Sequence, residues 1–583
     1  MTRMRMTCAL ALLMLLAASG CARDTVEKQP LRAVYMPTFA KVPPREPAAQ
    51  TVRSLVADWR GGSGERFRRD VLSTQGLAAA IALAVILIVA WDYRRLSNPR
   101  NIDLLLMYGA GLLLFDVMRF FPVLRHPSYL NLLDWVFTGV FITSLALLSR
   151  AVWTVVRGRT ISWIPNLGTR PLAALAALLL GVNIWIALAR PPDDAGWFVN
   201  LGAQRLRERG RLPYGDPLLT ATPGAAYGPL LYVAHVPFQL LLSPRPVNAV
   251  SPSRPDLDSE PPYYLPPLLA TQFCTAVFHA IGVIALFFAA RRLSDVRAAL
   301  GIVCLYCGSL GVLGIGGLDE SVTGITFASH IAPASMTLAA FATLRRPALS
   351  GTLLAASVGV GFYPAFMVPA WLGHYWDDTS RRIRFVVGFG VAAALIAGSV
   401  YALSRPAGER SRIGTIVYDT VGHHTEPAGY GSSPFGFWGQ REGIRRLLGS
   451  PLVGTAGTTS PAWLAFAALI GATFFLARGR SQADLALLAA AVAIGATLVK
   501  PHATGTYIAW YYPLLLLGFF AGHGTQFGAH DRPRRGSPMR VRHSSARGFT
   551  VRNEPWSRRH RTLRLEVDAP ANQPRPGWRQ RFA

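Results

Sequence analysis

Two adjacent carboxylates, Asp193 and Asp194, follow directly on an apolar run that ends at Ala189. Charge beside hydrocarbon is costly, so carboxylates at the mouth of a membrane-spanning helix form a site hypothesis. An aspartate in that position has the chemistry of a general base. The segment behind the pair, from Gly196 to Arg209, places Val199, Ala203 and Leu206 on one helical stripe. Arg205, Arg207, Glu208 and Arg209 spread over the remainder. That pattern suits a helix lying flat at an interface. Its guanidinium groups, Arg205 foremost, could hold a phosphate through paired hydrogen bonds. Pro213-Tyr214-Gly215-Asp216 and the turn Tyr227-Gly228-Pro229 come next.

Other polar candidates lie far along the chain: Asp319 and Glu320, then His423, His424, Glu426 and Arg441, and finally Lys500 and His502. Lys500 is one of three lysines, with Lys28 and Lys41, in a chain whose positive charge is otherwise arginine. A cation there asks for an anionic partner such as a lipid phosphate. Each of these residues has a plainer reading as well. A polar loop residue is ordinarily solvated, an amphipathic segment can be a simple anchor, and a helix-end lysine can snorkel.

The elements that must position these groups are set by composition. The 583 residues are 51% hydrophobic and 15% charged, against about 25% charged in soluble domains. Repeated apolar runs long enough for roughly 30 Å of hydrocarbon predict an all-α, multi-pass transmembrane bundle. The net charge of +28 sits in short arginine clusters between those runs and in one tail. That distribution follows the positive-inside rule and argues against a nucleic-acid partner. Cys274, Cys304 and Cys307 lie within apolar runs, as small buried hydrophobes. The lone CxxC has no second pair for a metal.

Residues 1–21 have the basic start, apolar core and small-residue end of a secretory signal. Ala18-Ser19-Gly20-Cys21 is lipobox-like and would make Cys21 a lipidated N-terminus; an uncleaved short anchor is the other reading. Residues 22–75 form an extracytoplasmic N-terminal segment. Spans are expected at about 76–92, 104–121, 131–149, 171–189, 266–290, 298–315 and 322–343. They continue with a broken pair within 348–376 and with 385–403, 461–477, 482–499 and 506–521, about thirteen in all. Residues 76–522 thus make the membrane domain, and 523–583 a basic, disordered cytoplasmic tail that meets anionic lipid. Breaking 348–376 near Gly361-Phe362-Tyr363-Pro364 keeps Arg345, Arg346, Arg381, Arg382 and Arg384 on one side. Asp193-Asp194 and the residues after 404 then fall in two larger extracytoplasmic loops.

The order of these features resembles the polyprenyl-phosphate-sugar-dependent glycosyltransferases of the GT-C type, especially the bacterial mannosyl- and arabinosyltransferase-like branch. The motifs are Asp193-Asp194, the amphipathic segment, Gly210-Arg211-Leu212-Pro213-Tyr214 and Tyr227-Gly228-Pro229-Leu230. Gly317-Leu318-Asp319-Glu320, Arg345-Arg346 with Gly351…Gly361-Phe362-Tyr363-Pro364, and Tyr507-Ile508-Ala509-Trp510-Tyr511-Tyr512-Pro513 follow. The likeness covers about 171–522. It departs at Gly228, where the family has Pro, and in lacking the hairpin Lys.

The resemblance implies transfer of a sugar from a polyprenyl-phosphate donor to an extracytoplasmic glycan, lipid or protein acceptor, with membrane lipids as further partners. Asp194 or Asp193 would be the base. Arg205, Lys500 and His502 would stabilise the leaving phosphate. Tyr214, Asp216, Tyr227, Asp319, Glu320, His423 and His424 would line the substrate site. Relatives differ in needing a divalent metal ion, and two adjacent Asp residues leave that open. A transporter or flippase of a lipid-linked glycan is the alternative, but it should carry mid-membrane ionisable groups and an internal repeat. The spans hold few charges at mid-depth, and Asp116 and Asp134 lie in early helices, away from the likeness. A non-catalytic membrane protein is a third reading, in which the loop carboxylates are dispensable.

Overall fold

The computed structural model describes residues 74–120, 127–158, 163–189, 192, 194–216, 219, 223–242, 269–313, 324–422, 461–499 and 507–521. Cys21, the residues before 74 and the tail from 522 lie outside them. Among the described residues every regular element is helical.

In order these are α1 (Thr74–Val89), α2 (Pro99–Phe120), α3 (Pro127–Arg157), α4 (Thr169–Ala189), α5 (Asp194–Arg209) and α6 (Pro229–Leu242). Then come α7 (Leu269–Leu293), α8 (Val296–Cys307), α9 (Leu310–Leu313), α10 (Ala328–Ala342), α11 (Pro347–Val360) and α12 (Val368–His374). α13 (Thr379–Leu403), α14 (Arg412–Val417), α15 (Pro461–Leu476), α16 (Gln482–Val499) and α17 (Ile508–Phe520) complete the set.

Five described segments are long and apolar enough to cross a membrane: Gly139–Arg157, α4, α7, α13 and α16. Six further apolar helices run only 10–17 residues. At 1.5 Å per residue, α11 with its 14 residues reaches about 21 Å, short of the hydrocarbon thickness. The expected count of about thirteen spans is thus not confirmed among the described helices. Several of the apolar runs make short helices instead.

The apolar side chains divide as a lipid solvent would ask. α16 is buried on nearly every face between α3, α15 and α17 and is apolar all round. α13 is the opposite case, with Ile383, Val386, Val387, Val391 and Leu395 exposed and only Phe385 buried. Outward-facing Ile, Val and Leu at that density fit contact with hydrocarbon. Asp378 caps the start of α13 by accepting from Arg381 N at 2.9 Å, and Asp295 caps α8 in the same way at 2.7 Å.

The arginine-bearing turns converge on one end of the bundle. Asn166 N donates to Val89 O at 2.9 Å, and Arg297 donates to Pro165 O and Leu167 O, each at 2.7 Å. Tyr375 OH reaches Leu344 O at 2.7 Å, and the Arg478 guanidinium lies 4.7 Å over the Trp376 ring. A Cβ on Gly158 would lie 3.7 Å from Arg480. The charge pattern had assigned each of these turns to one side. At this end the Arg150 guanidinium also grips the buried Asp103 carboxylate, with Nε to Oδ1 at 2.8 Å, and joins α3 to α2.

The broken pair expected within 348–376 is present. α11 ends at Gly361, a single-turn 3₁₀ segment covers Tyr363–Met367, and α12 runs back to His374. Pro364 has no N–H to continue the ladder, and its ring disfavours helix at the residue before it. The tip of this hairpin lies at the end away from the arginine turns, beside the start of α6.

Candidate functional site

The tip meets a junction of two distant chain segments. α5 packs against α6 and α7, and its buried stripe is Val199, Ala203 and Leu206, as its spacing predicts. α6 packs back on it, with Gln239 Nε2 donating to Asn200 O at 2.7 Å. The turn after α5 then ties to the end of α13. Leu212 N donates to Leu403 O at 3.0 Å, and Arg405 N donates to Tyr214 O at 3.3 Å. The first loop and the opening of the second therefore share one end of the molecule.

Asp216 is the charge centre of the junction. Its Oδ2 stands 3.4 Å from Arg209 Nη1 and 3.8 Å from Arg205 Nε. The two arginines are one helical turn apart, so both reach one carboxylate from the same face. Arg205 also approaches Glu208 at 3.9 Å. Over 194–216 and 404–422, seven arginines (Arg205, Arg207, Arg209, Arg211, Arg405, Arg410 and Arg412) stand against five carboxylates (Asp194, Glu208, Asp216, Glu409 and Asp419). The junction carries a surplus of positive charge.

Tyrosines hold its shape. Tyr214, at 1% exposure, donates its hydroxyl to Tyr227 O at 2.6 Å. Tyr232 OH accepts from Tyr227 N at 3.1 Å and donates to Gly224 O at 2.7 Å. Tyr214 thus acts as an internal post, and burial pushes its phenol well above the ordinary range. Gly215 has a positive φ of 76°, and a Cβ there would overlap Arg405 O. Only glycine fits both conditions.

Gly215 N donates to Asp419 Oδ2 at 2.8 Å, across 204 residues of chain. Asp419 is buried, and desolvation raises its carboxyl above the ordinary value, against the lowering from the Gly215 N–H and Arg410. A raised native pKa means that the folded state holds the proton more tightly than the unfolded chain. Its contribution to stability is greatest below the unfolded value of 3.8 and is lost as pH rises through the folded value. Asp419→Asn should keep the acceptor for Gly215 N and flatten that pH dependence. Asp419→Ala leaves a buried N–H unpaired and should cost about 1–3 kcal/mol. Thermal unfolding of the purified protein across a pH series checks both.

Of the residues singled out from sequence, the structure brings together Arg205, Tyr214, Asp216 and Tyr227. Asp194 is the first residue of α5, and its side chain lies outside the described residues, as does Asp193 altogether. Asp319, Glu320, His423, His424, Lys500 and His502 also lie outside, as do the side chains of Asp116 and Asp134. Close to the described flanks of these two turns, Gly311 packs against Ile508. Among the described residues no group of three or more His, Cys, Asp or Glu could hold a metal ion.

Sequence reading grouped Arg209 with the other α5 arginines without pairing it to Asp216, and it passed over Asp419. Arg209 was legible as the i+4 neighbour of Arg205. Asp419 stands four residues before His423, but its partner is too distant in sequence to suggest the contact. Comparison with family models, curated proteins and solved structures finds no match to this chain.

Proposed function

We propose that this chain is a membrane glycosyltransferase that moves a sugar from a polyprenyl-phosphate donor to an extracytoplasmic glycan, lipid or protein acceptor. The observation that carries the reading is the surplus of arginine on α5 and the α13–α14 turn. It lies at the end opposite the arginine turns that the positive-inside rule accounts for. Cations there invite an anionic group, and guanidinium pairs suit the phosphate of a lipid donor. Asp194, or Asp193, opens the same helix and supplies the base for the acceptor hydroxyl. The phosphate leaves toward Arg205, which offsets its developing charge.

Membranes containing the protein, given radiolabelled polyprenyl-phosphate mannose or arabinose, should transfer label to an acceptor; absence of transfer from every such donor overturns the reading. The orientation has its own check. Arg157→Cys should resist an impermeant thiol reagent added from outside, and labelling there would place the candidate site on the wrong face.

A transporter of a lipid-linked glycan is the second reading. It is favoured by His279, which is fully buried midway along α7, 3.4 Å from Asn183 and stacked at 5.7 Å on Tyr306. Buried ionisable groups inside spans mark transport paths. Movement of intact lipid-linked sugar across vesicles, with no transfer, would favour it.

A further inference from the structure

Two buried side chains on α6 have their orientations fixed by partners that can only accept, and both are left with a bare lone pair. His235 is 0% exposed, and its Nδ1 lies 2.7 Å from Leu231 O. A carbonyl oxygen cannot donate, so Nδ1 carries the proton and Nε2 is the acceptor nitrogen. Cys274 does not reverse this, because its Sγ has Ala234 O at 3.7 Å to donate to, the same distance as Nδ1.

Gln239, at 4% exposure, directs Nε2 to both Asn200 O at 2.7 Å and Asn200 Oδ1 at 2.8 Å. Two oxygen partners fix the amide, so its Oε1 is the atom turned away. His235 Nε2 and Gln239 Oε1 are both buried and have no hydrogen-bond partner among the described residues. They stand one helical turn apart on α6, on the stripe that faces α7 through Cys274 and α5 through Asn200.

An unsatisfied acceptor in the interior is costly, and buried polar groups are nearly always paired. Two such acceptors on one stripe, with no donor among the described residues, call for a hydrogen-bond donor. A cation is disfavoured here, since neither acceptor carries charge to offset the loss of its hydration. We infer that the seam between α5, α6 and α7 is a binding site for a hydroxyl group, which donates to His235 Nε2 or Gln239 Oε1. The hydroxyl belongs either to an internal water or to an alcohol of a carbohydrate ligand. This inference is independent of the transferase reading, because it needs only the O–H donor.

Nitrogen NMR of the full chain in lipid nanodiscs tests it, with ¹⁵N-histidine and ¹³C-carbonyl leucine. The ring nitrogen in contact with the Leu231 carbonyl identifies Nδ1 in the wild-type protein. The expected result is a protonated Nδ1 and an unprotonated Nε2 that receives magnetisation from an O–H proton. Transfer from water protons without additive identifies water. Transfer that appears only on adding methyl α-mannopyranoside identifies an alcohol. Gln239→Met should keep the tautomer and reduce the O–H transfer, whereas a purely structural Gln239 would leave that transfer unchanged. A proton on Nε2, or a bare Nε2 with no O–H contact in either condition, overturns the proposal.

Discussion

Asparagine in place of both Asp193 and Asp194 is expected to lower sugar transfer by about 10²–10⁴-fold, the usual worth of a positioned general base. The amide matches the carboxylate in shape and cannot take the acceptor proton, so folding and donor KM should change little. The single variants separate the pair, with the larger loss expected at Asp194. That residue is the first of α5, and the next two, Ala195 and Gly196, are buried, with Gly196 O accepting from Thr271 at 3.2 Å. Its backbone is thus fixed against α7, as a reacting group requires. Initial rates with labelled donor measure the effect, and full activity in the double variant would sink the base assignment.

The second large effect concerns stability. Gly228→Val should destabilise the protein by roughly 3 kcal/mol or more, the upper range for forced overpacking. A Cβ at position 228 would overlap Gly359 O together with Val360 C and O. All three are backbone atoms at the end of α11, so no rotamer change relieves the clash. Gly228→Ala meets the same atoms and should show a smaller loss of the same kind. The falls in Tm of the purified variants, and their recovery as monodisperse protein, are the measurements. Unchanged Tm in both would show that the hairpin tip does not rest on α6 in solution. The same contact accounts for glycine at this position: the two backbones touch there.

Much of this arrangement was legible from the chain. Apolar runs located α4, α7, α13 and α16 because a span in lipid must be continuous, helical and uncharged. Arg345-Arg346 and Arg381-Arg382-Arg384, read with Gly361 and Pro364, foretold the reversal between α11 and α12. Three features were hidden. α6 has 14 residues with Pro237 inside, and its periodicity gave no span. The Gly215–Asp419 bond joins positions that no local pattern relates. His235 and His279 each look like a solitary polar residue in an apolar run, and only their neighbours reveal the unpaired nitrogens. Local chemistry is written along the chain, while pairing across elements emerges only when they pack.

The reversal at Gly361 has a consequence in parity. A segment that enters the bundle and leaves by the same end adds nothing to the count of crossings. Every helix after it therefore keeps the direction it would have had if 347–374 were deleted. α13 starts among the arginine turns and delivers Arg405 and Asp419 to the junction where α5 already lies. Had that stretch crossed once, the two loops would have emerged from opposite ends. Gly215 and Asp419 would then be separated by the thickness of the molecule.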